Sequence, residues 1–306
     1  MNRSDLSALV REGGDRVEEH ASLGARTTYR VGGRARVLVT LKSVADLVEL
    51  GPLMLASGLA VVCVGNGSNL LVADGEHDVL IVHLTGGLAE LTWDAGVSDV
   101  VVNAGAGLDL PIAARRLARE GLVGFEWAVG VPGTFGGAAA MNAGGHGDDL
   151  ASSLLDATVW RAGTIETWSK DRLALGYRTS ALGDGDVVLS LRLALVRGDG
   201  ELAEARIREV VRWRREHQPG GANGGSVFRN PPEDAAARLI EAAGCKGLRY
   251  ASARVSEKHA NFIQADENGS ANDVYALIEL VRARVRDASG VTLLAENRFL
   301  GFGAPR

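Results

Sequence analysis

Residues 124–147 read GFEWAVGVPGTFGGAAAMNAGGHG, and small residues fill almost every position from 130 onward. A helix over 134–141 with so little side-chain volume lies close against a flat ligand, and its N-terminal amides suit a phosphate or ring carbonyls. Close helix–sheet packing is the competing reading. It gives no reason for glycine on both sides of the helix as well as within it.

Upstream, GNGSNL at 65–70 follows the apolar run 60–64. A strand thus delivers a loop whose small residues expose consecutive backbone N–H groups, a nest suited to a diphosphate. The Ser68 hydroxyl and the Asn69 amide add neutral donors, and the Walker positions lack Lys and Thr, which argues against a P-loop nucleotidase. Taken alone, the loop is read equally well as a tight turn ending a core strand.

Around these two loops the periodicity predicts strands at 35–40, 60–64, 79–84 and 100–104, with helices at 44–56 and 110–120. Strands follow at 157–161, 164–168 and 187–196, then a charged amphipathic helix at 201–217 with arginines in its last turn. A boundary falls near 198. Beyond it come a Gly-rich turn at 220–231, a helix at 232–243, a loop through 258, a strand at 260–265, a helix at 271–289 and a final strand at 292–300. The alternation is that of an α+β or α/β protein.

A chain of 306 residues exceeds one core of about 100–200 residues, so two or three units are expected. A net charge of -5 without any basic tract removes the footprint of a nucleic-acid binder. The N-terminal 20 residues have no apolar core and no window reaches the roughly 18 apolar residues of a membrane span, so a cytoplasmic protein is expected. Cys63 and Cys245 lie far apart, outside any metal-binding or redox spacing, and read as buried thiols. No metal site is expected. The 40 glycines exceed the usual share of about 7% without any repeat period. Glycine is therefore positional, concentrated at 65–67, 105–107, 130–147 and 220–225.

With these stretches in hand, the chain resembles the UDP-N-acetylenolpyruvoylglucosamine reductase (MurB) family over nearly its whole length. The matching motifs run in order: TTYRVGG at 27–33, GNGSNLL at 65–71, GVPGTFGGAAAMNAGG at 130–145, YRTS at 177–180, GSVFRNP at 225–231, GCKGLR at 244–249, VSEKHANF at 255–262 and LLAENRFLG at 293–301. The short 177–226 interval and the SEKHANF segment resemble the family's second type. The resemblance implies an α+β chain with a vanillyl-alcohol-oxidase (PCMH) type FAD-binding domain over 1–198, in subdomains of about 1–82 and 83–198. It further implies a C-terminal α/β substrate-binding domain over 199–295 and a strand, 296–306, returning to the FAD-binding domain. FAD held non-covalently, NADPH as reductant and a nucleotide-sugar enolpyruvyl ether as substrate follow, placing the reaction in peptidoglycan synthesis and cell-wall biogenesis.

Residue by residue, the resemblance assigns FAD contacts to Gly65, Asn66, Gly67, Ser68, Asn69 and Leu70. It assigns further FAD contacts to Val131, Pro132, Gly133, Gly136, Gly137, Ala138, Asn142, Ala143 and Gly144. Arg178, Ser226 and Glu296 match the catalytic positions. Arg178 offers a planar cationic fork for a carboxylate, against the ordinary reading of a surface salt bridge. Ser226, in a turn leading into a helix, offers a proton, against an N-cap or turn role. Glu296 is expected inside the apolar strand, turned inward by alternation and raised in pKa by desolvation, against a structural pairing with a cation such as Arg298. Tyr177, Arg229, Asn230, His146 and Lys258 are candidate substrate contacts, with a plain loop-capping role competing for Lys258. His146 stands where the family often has an aromatic residue, and Asn297 where it has an apolar one. Two other readings stay open: a flavin oxidoreductase of the same fold acting on another nucleotide-sugar, and a flavin- and nucleotide-sugar-binding protein without turnover.

Overall fold

Along Val187–Arg197, Leu191, Leu193 and Leu195 are buried while Arg192, Ala194 and Val196 are exposed. This period-two pattern belongs to a strand with one face on a core. The strand is central to a six-stranded antiparallel sheet of spatial order Thr164–Ser169, Leu154–Arg161, Val187–Arg197, Asp99–Gly105, Leu91–Trp93, with Leu122–Val123 also pairing with Val187–Arg197. The computed structural model to which it belongs describes residues 3–94 and 99–303. By contact the chain divides into two compact units, one of residues 1–21, 36–65 and 78–213, the other of residues 22–35, 66–77 and 214–306. This partition is interleaved along the chain, whereas the sequence expectation is sequential.

The first unit has a second sheet, ordered Val17–Glu19, Arg34–Leu41, Glu76–Leu84, Ala60–Cys63. Helix Val44–Ala56 matches its expected bounds because its start is encoded twice. Ser43 Oγ accepts from the Asp46 N–H, and the Asp46 carboxylate accepts from the Ser43 N–H, a reciprocal capping box. Its buried residues Leu47, Leu50, Gly51 and Met54 repeat at helical spacing on one face. Gly51 lies against the Trp160 indole, where an added Cβ would be 3.5 Å from Cζ2. Helix Phe135–Met141 begins one residue later than expected, with Thr134 as its N-cap. An N-terminal helix, Arg3–Gly13, escapes the sequence reading.

In the second unit, helix Ala271–Ser289 also falls within its expected bounds, between the Ser270 N-cap and Gly290 at φ 74. Val274, Leu277, Ile278, Val281 and Val285 form its buried stripe, and join Phe228, Val255, Ile263 and Leu293 in one core. A four-stranded sheet runs Asn223–Ser226, Phe262–Ala265, Ala253–Val255, Arg249–Tyr250, and Arg298–Leu300 pairs in parallel with Leu70–Val72.

Several expectations change here. The helix set at 232–243 spans only Ala236–Ala242, because residues 232–234, following Pro231, form a turn and bend. The loop set through 258 contains the hairpin Arg249–Tyr250 and Ala253–Val255. The final strand shrinks from 292–300 to Arg298–Leu300. Cys63 is exposed, not buried, though protein crowds it enough for desolvation to push its thiol up to about 12. Cys245 is buried, as expected.

Candidate active site

In the first unit Gly65, the first residue of the GNGSNL loop, lies against Thr134 of the second glycine-rich stretch. An added Cβ at Gly65 would come within 2.3 Å of Thr134 Oγ1, so only glycine lets the end of the first loop abut the helix N-cap. Gly67, at φ 57, curls the first loop, and its own Cβ position is closed by the Arg26 carbonyl at 2.7 Å and Thr27 Cα at 2.8 Å. Its carbonyl accepts from the Thr28 N–H. The glycine in this loop thus serves both a nest-like curl and tight packing against TTYRVGG.

The reading of the 134–141 helix amides as phosphate donors is corrected. Phe135 N–H donates to the Leu108 carbonyl, Gly136 N–H to the Ala106 carbonyl and Gly137 N–H to Thr134 Oγ1. What the helix leaves bare is a surface. At exposed Gly137 an added Cβ would meet only Thr134 Oγ1, at 3.7 Å, and at Gly145 nothing within 4 Å. In the same unit the buried Trp127 Nε1 has no hydrogen-bond partner among the described residues. A side-chain-free face and an orphaned donor fit a flat, heteroatom-rich ring system such as a flavin.

Asn142, at φ 40, closes the helix and spends its side chain on the protein. Nδ2 donates to Asp149 Oδ2 (2.9 Å) and to the Gly176 carbonyl (3.2 Å), while Oδ1 accepts from the Ala151 N–H. The bond to Gly176 starts a seam that fixes YRTS. Arg178 Nη2 donates to the Gly144 carbonyl (2.9 Å) and Ser180 Oγ to the Ala140 carbonyl (3.0 Å). Tyr177, exposed, stacks its ring 5.3 Å from the Arg178 guanidinium carbon. The His146 ring packs edge-on to Trp213 (5.1 Å) and over Gly130, where a Cβ would be 2.8 Å from His146 Cδ2.

In the second unit the structure brings the segments that carry Ser226 and Glu296 side by side. The Glu296 N–H donates to the Val227 carbonyl (2.7 Å), the Arg229 N–H to the Leu294 carbonyl (2.9 Å), and Phe228 bridges Ala295. Glu296 therefore lies in this bridged segment, ahead of the short strand Arg298–Leu300, and strand alternation does not place it. Ser226 ends a strand ten residues before the next helix, so it is no N-cap. The Asn261 side chain secures Phe228, two residues on, accepting from its N–H and donating to its carbonyl.

Sequence reasoning missed Tyr29 and the part played by Asn297. Tyr29 Oη donates to Asn297 Oδ1 (2.8 Å), and Asn297 Nδ2 lies 2.8 Å from Asn69 Oδ1, 2.9 Å from the Gly224 carbonyl and 3.3 Å from the Ser226 carbonyl. Asn69 Nδ2 in turn donates to the Glu296 carbonyl (3.0 Å). Burial raises the Tyr29 pKa against a hydrogen bond from the Gly224 backbone, so the phenol stays a neutral donor. Among the other candidates, Asn230 Oδ1 accepts from the Ala236 N–H at a helix start, and Lys258 Nζ donates to the Arg215 carbonyl at a helix end. The Arg229 Nε is buried with no partner among the described residues. Burial lowers the pKa of His259, beside Lys258, so that ring is neutral near pH 7.

Residues 35–166 match the FAD binding domain family, and residues 217–300 match the UDP-N-acetylenolpyruvoylglucosamine reductase, C-terminal domain. The chain is thus an α+β flavoprotein with a PCMH-type FAD-binding domain. UDP-N-acetylenolpyruvoylglucosamine reductase 2 of Symbiobacterium thermophilum is 40% identical over 302 residues, covering 97% of this chain and 96% of that protein. The reductase of Synechococcus sp. is 41% identical over 297 residues, covering 94% of each. The crystal structure of the Thermus caldophilus reductase superposes with a TM-score of 0.80 at 34% identity, over 93% of this chain and 99% of that one. The chain belongs to the UDP-N-acetylenolpyruvoylglucosamine reductase family.

Proposed function

We propose that this chain reduces UDP-N-acetylglucosamine enolpyruvate to UDP-N-acetylmuramate with NADPH, through non-covalently bound FAD, in peptidoglycan precursor synthesis. The observation that carries the reading is the backbone hydrogen bond from the Glu296 N–H to the carbonyl of Val227, the neighbour of Ser226, in a chain 40% identical over nearly its full length to a protein of that name. Residues 1–198 are taken as the FAD-binding part, 199–295 as the substrate-binding part, and 296–306 as returning to the first. The loops Gly65–Leu70 and Val131–Gly144 would hold FAD, the second offering the bare face at Gly137. When bound, FAD supplies a carrier that takes a hydride from the nicotinamide and delivers it to the vinyl carbon.

The chain's own residues handle the charge and the proton. Hydride at the terminal carbon drives electron density toward the carbon bearing the ether oxygen and the carboxylate. Arg178 matches that carboxylate with a planar fork and stabilises the enolate-like state. Ser226 Oγ–H gives its proton to the carbon that bears the ether, and solvent restores the hydroxyl. Glu296 in its protonated form hydrogen-bonds the carboxylate. Tyr177, Arg229, Asn230, His146 and Lys258 are assigned to the nucleotide-sugar; the Arg229 Nε, without a partner among the described residues, is the donor best suited to one of its oxygens.

Steady-state turnover tests the reading. Without oxygen, purified FAD-loaded protein should oxidise NADPH beyond one equivalent per flavin only after UDP-N-acetylglucosamine enolpyruvate is added, and mass spectrometry should find the lactyl ether. Absence of that product would overturn it.

A further inference from the structure

Asn297 is only 4% exposed, and both ends of its amide are engaged. An amide at such depth costs free energy unless its hydrogen bonds are met. An apolar side chain of the same size would fill the space without that demand, so what the amide adds is geometry. Of the bonds it makes, one reaches the Ser226 carbonyl directly and another reaches the Glu296 carbonyl by way of Asn69.

The strand carrying Ser226 does not hold that residue by its ladder alone. Asn223 pairs with Gln264 and Ser226 with Phe262, with a break in register between them. Within that break Gly225 takes φ 76 with no atom within 4 Å of its Cβ position. Asn297 bridges the irregular stretch through the Gly224 and Ser226 carbonyls. Tyr29 sets the height of the same backbone, because its ring lies so close to Gly224 that a Cβ there would be 2.3 Å from Cε2. On the other side Asn69, bonded to the Asn297 amide, holds the Glu296 carbonyl.

We propose that Asn297, braced by Tyr29 and Asn69, is the positioning residue that fixes Ser226 relative to Glu296. This rests on the reductase reading given above. A proton donor works within about 2.6–3.2 Å of its target, and a misplacement of about 1 Å costs roughly 100-fold in rate. Loosening the hub therefore acts on reoxidation of the flavin by substrate, which uses Ser226 and Glu296, and leaves reduction by NADPH alone.

The test compares FAD-loaded wild type, Asn297→Leu and Tyr29→Phe by anaerobic stopped flow and by amide hydrogen exchange. In Asn297→Leu, reoxidation by UDP-N-acetylglucosamine enolpyruvate should slow by about 10- to 100-fold, with flavin reduction by NADPH within about twofold of wild type. Exchange should quicken over 223–228 and 294–298. Tyr29→Phe should move the same readouts in the same direction by about 3- to 10-fold, and it carries the test if Asn297→Leu does not fold. Unchanged reoxidation, or equal slowing of both half-reactions with exchange raised throughout the protein, would overturn the proposal. If substrate fails to reoxidise the wild-type flavin, the reductase reading falls instead. Hydrogen exchange then still decides whether Asn297 holds the two segments.

Discussion

Arg178 takes a left-handed backbone, φ 57, in a two-residue turn closed by reciprocal bonds between Gly176 and Thr179. A non-glycine residue there costs about 1–3 kcal/mol, offset by the seam through Gly176, Arg178 and Ser180 to residues 140–144. Replacing Arg178 with Lys keeps the charge and loses the planar fork. Reoxidation by substrate should then fall about tenfold or more, with NADPH reduction of the flavin little changed; an unaltered reoxidation rate would remove the fork from the reaction. Arg178, Ser226 and Glu296 can be nominated from the sequence because each lies in a contiguous motif. The engagements of Asn69, Asn142 and Asn297 are not, since a hydrogen bond such as Tyr29 to Asn297 spans 268 positions and leaves no local pattern. Asn297 reads in sequence only as a departure from an apolar position, and the structure gives that departure a polar partner in Tyr29.

At the scale of elements, the segment that carries Arg178 is pinned on either side, at Arg172 and at Asp186. Trp168, fully buried, lies between the guanidinium carbons of Arg161 (4.3 Å) and Arg172 (4.1 Å). Arg161 also pairs with Asp186, whose side chain is 3% exposed and accepts from the Gly183 N–H. Trp168→Ala should cost about 3–5 kcal/mol in urea unfolding; a loss under about 1 kcal/mol would show that the site collapses without penalty. Desolvation raises the Asp186 carboxyl, but the bonds from Arg161 and Gly183 outweigh it and hold the group below the usual carboxylate range. A depressed carboxyl contributes stability above its unfolded value of about 3.9 and loses it as pH falls. Stability of the wild type should therefore decline more steeply below about pH 4 than that of Asp186→Asn, and parallel acid limbs would contradict this. Helices 44–56 and 271–289 are legible because caps mark their starts and a buried stripe fills their length. The hairpin at Arg249–Val255 is not. Its two-residue turn puts Ala251 at φ 44, where a sequence reading looks for Gly or Asn.

Over the whole molecule, the α+β class and the family are legible from motif order, and the contact partition is not. Residues 22–35 and 66–77 pack with 214–306, because Tyr29, Val31 and Leu71 join the core of helix Ala271–Ser289, a long-range pairing that periodicity does not encode. FAD bound to the folded chain but not to the unfolded one stabilises it by about 2.7 kcal/mol at a hundredfold excess over Kd. Removing the flavin should lower Tm and adding FAD should restore it, in proportion to the logarithm of its concentration. A Tm indifferent to FAD would place the flavin outside the folded core. The central claim, a hydride delivered by flavin and a proton by Ser226, is tested most directly by one anaerobic stopped-flow trace. Wild type and Ser226→Ala are each reduced with NADPH and mixed with UDP-N-acetylglucosamine enolpyruvate while flavin absorbance is followed. The wild-type flavin should return rapidly to its oxidised spectrum, and Ser226→Ala should reduce normally yet reoxidise at least about 100-fold more slowly. Reoxidation at equal rates in both proteins, or none in the wild type, would contradict the claim.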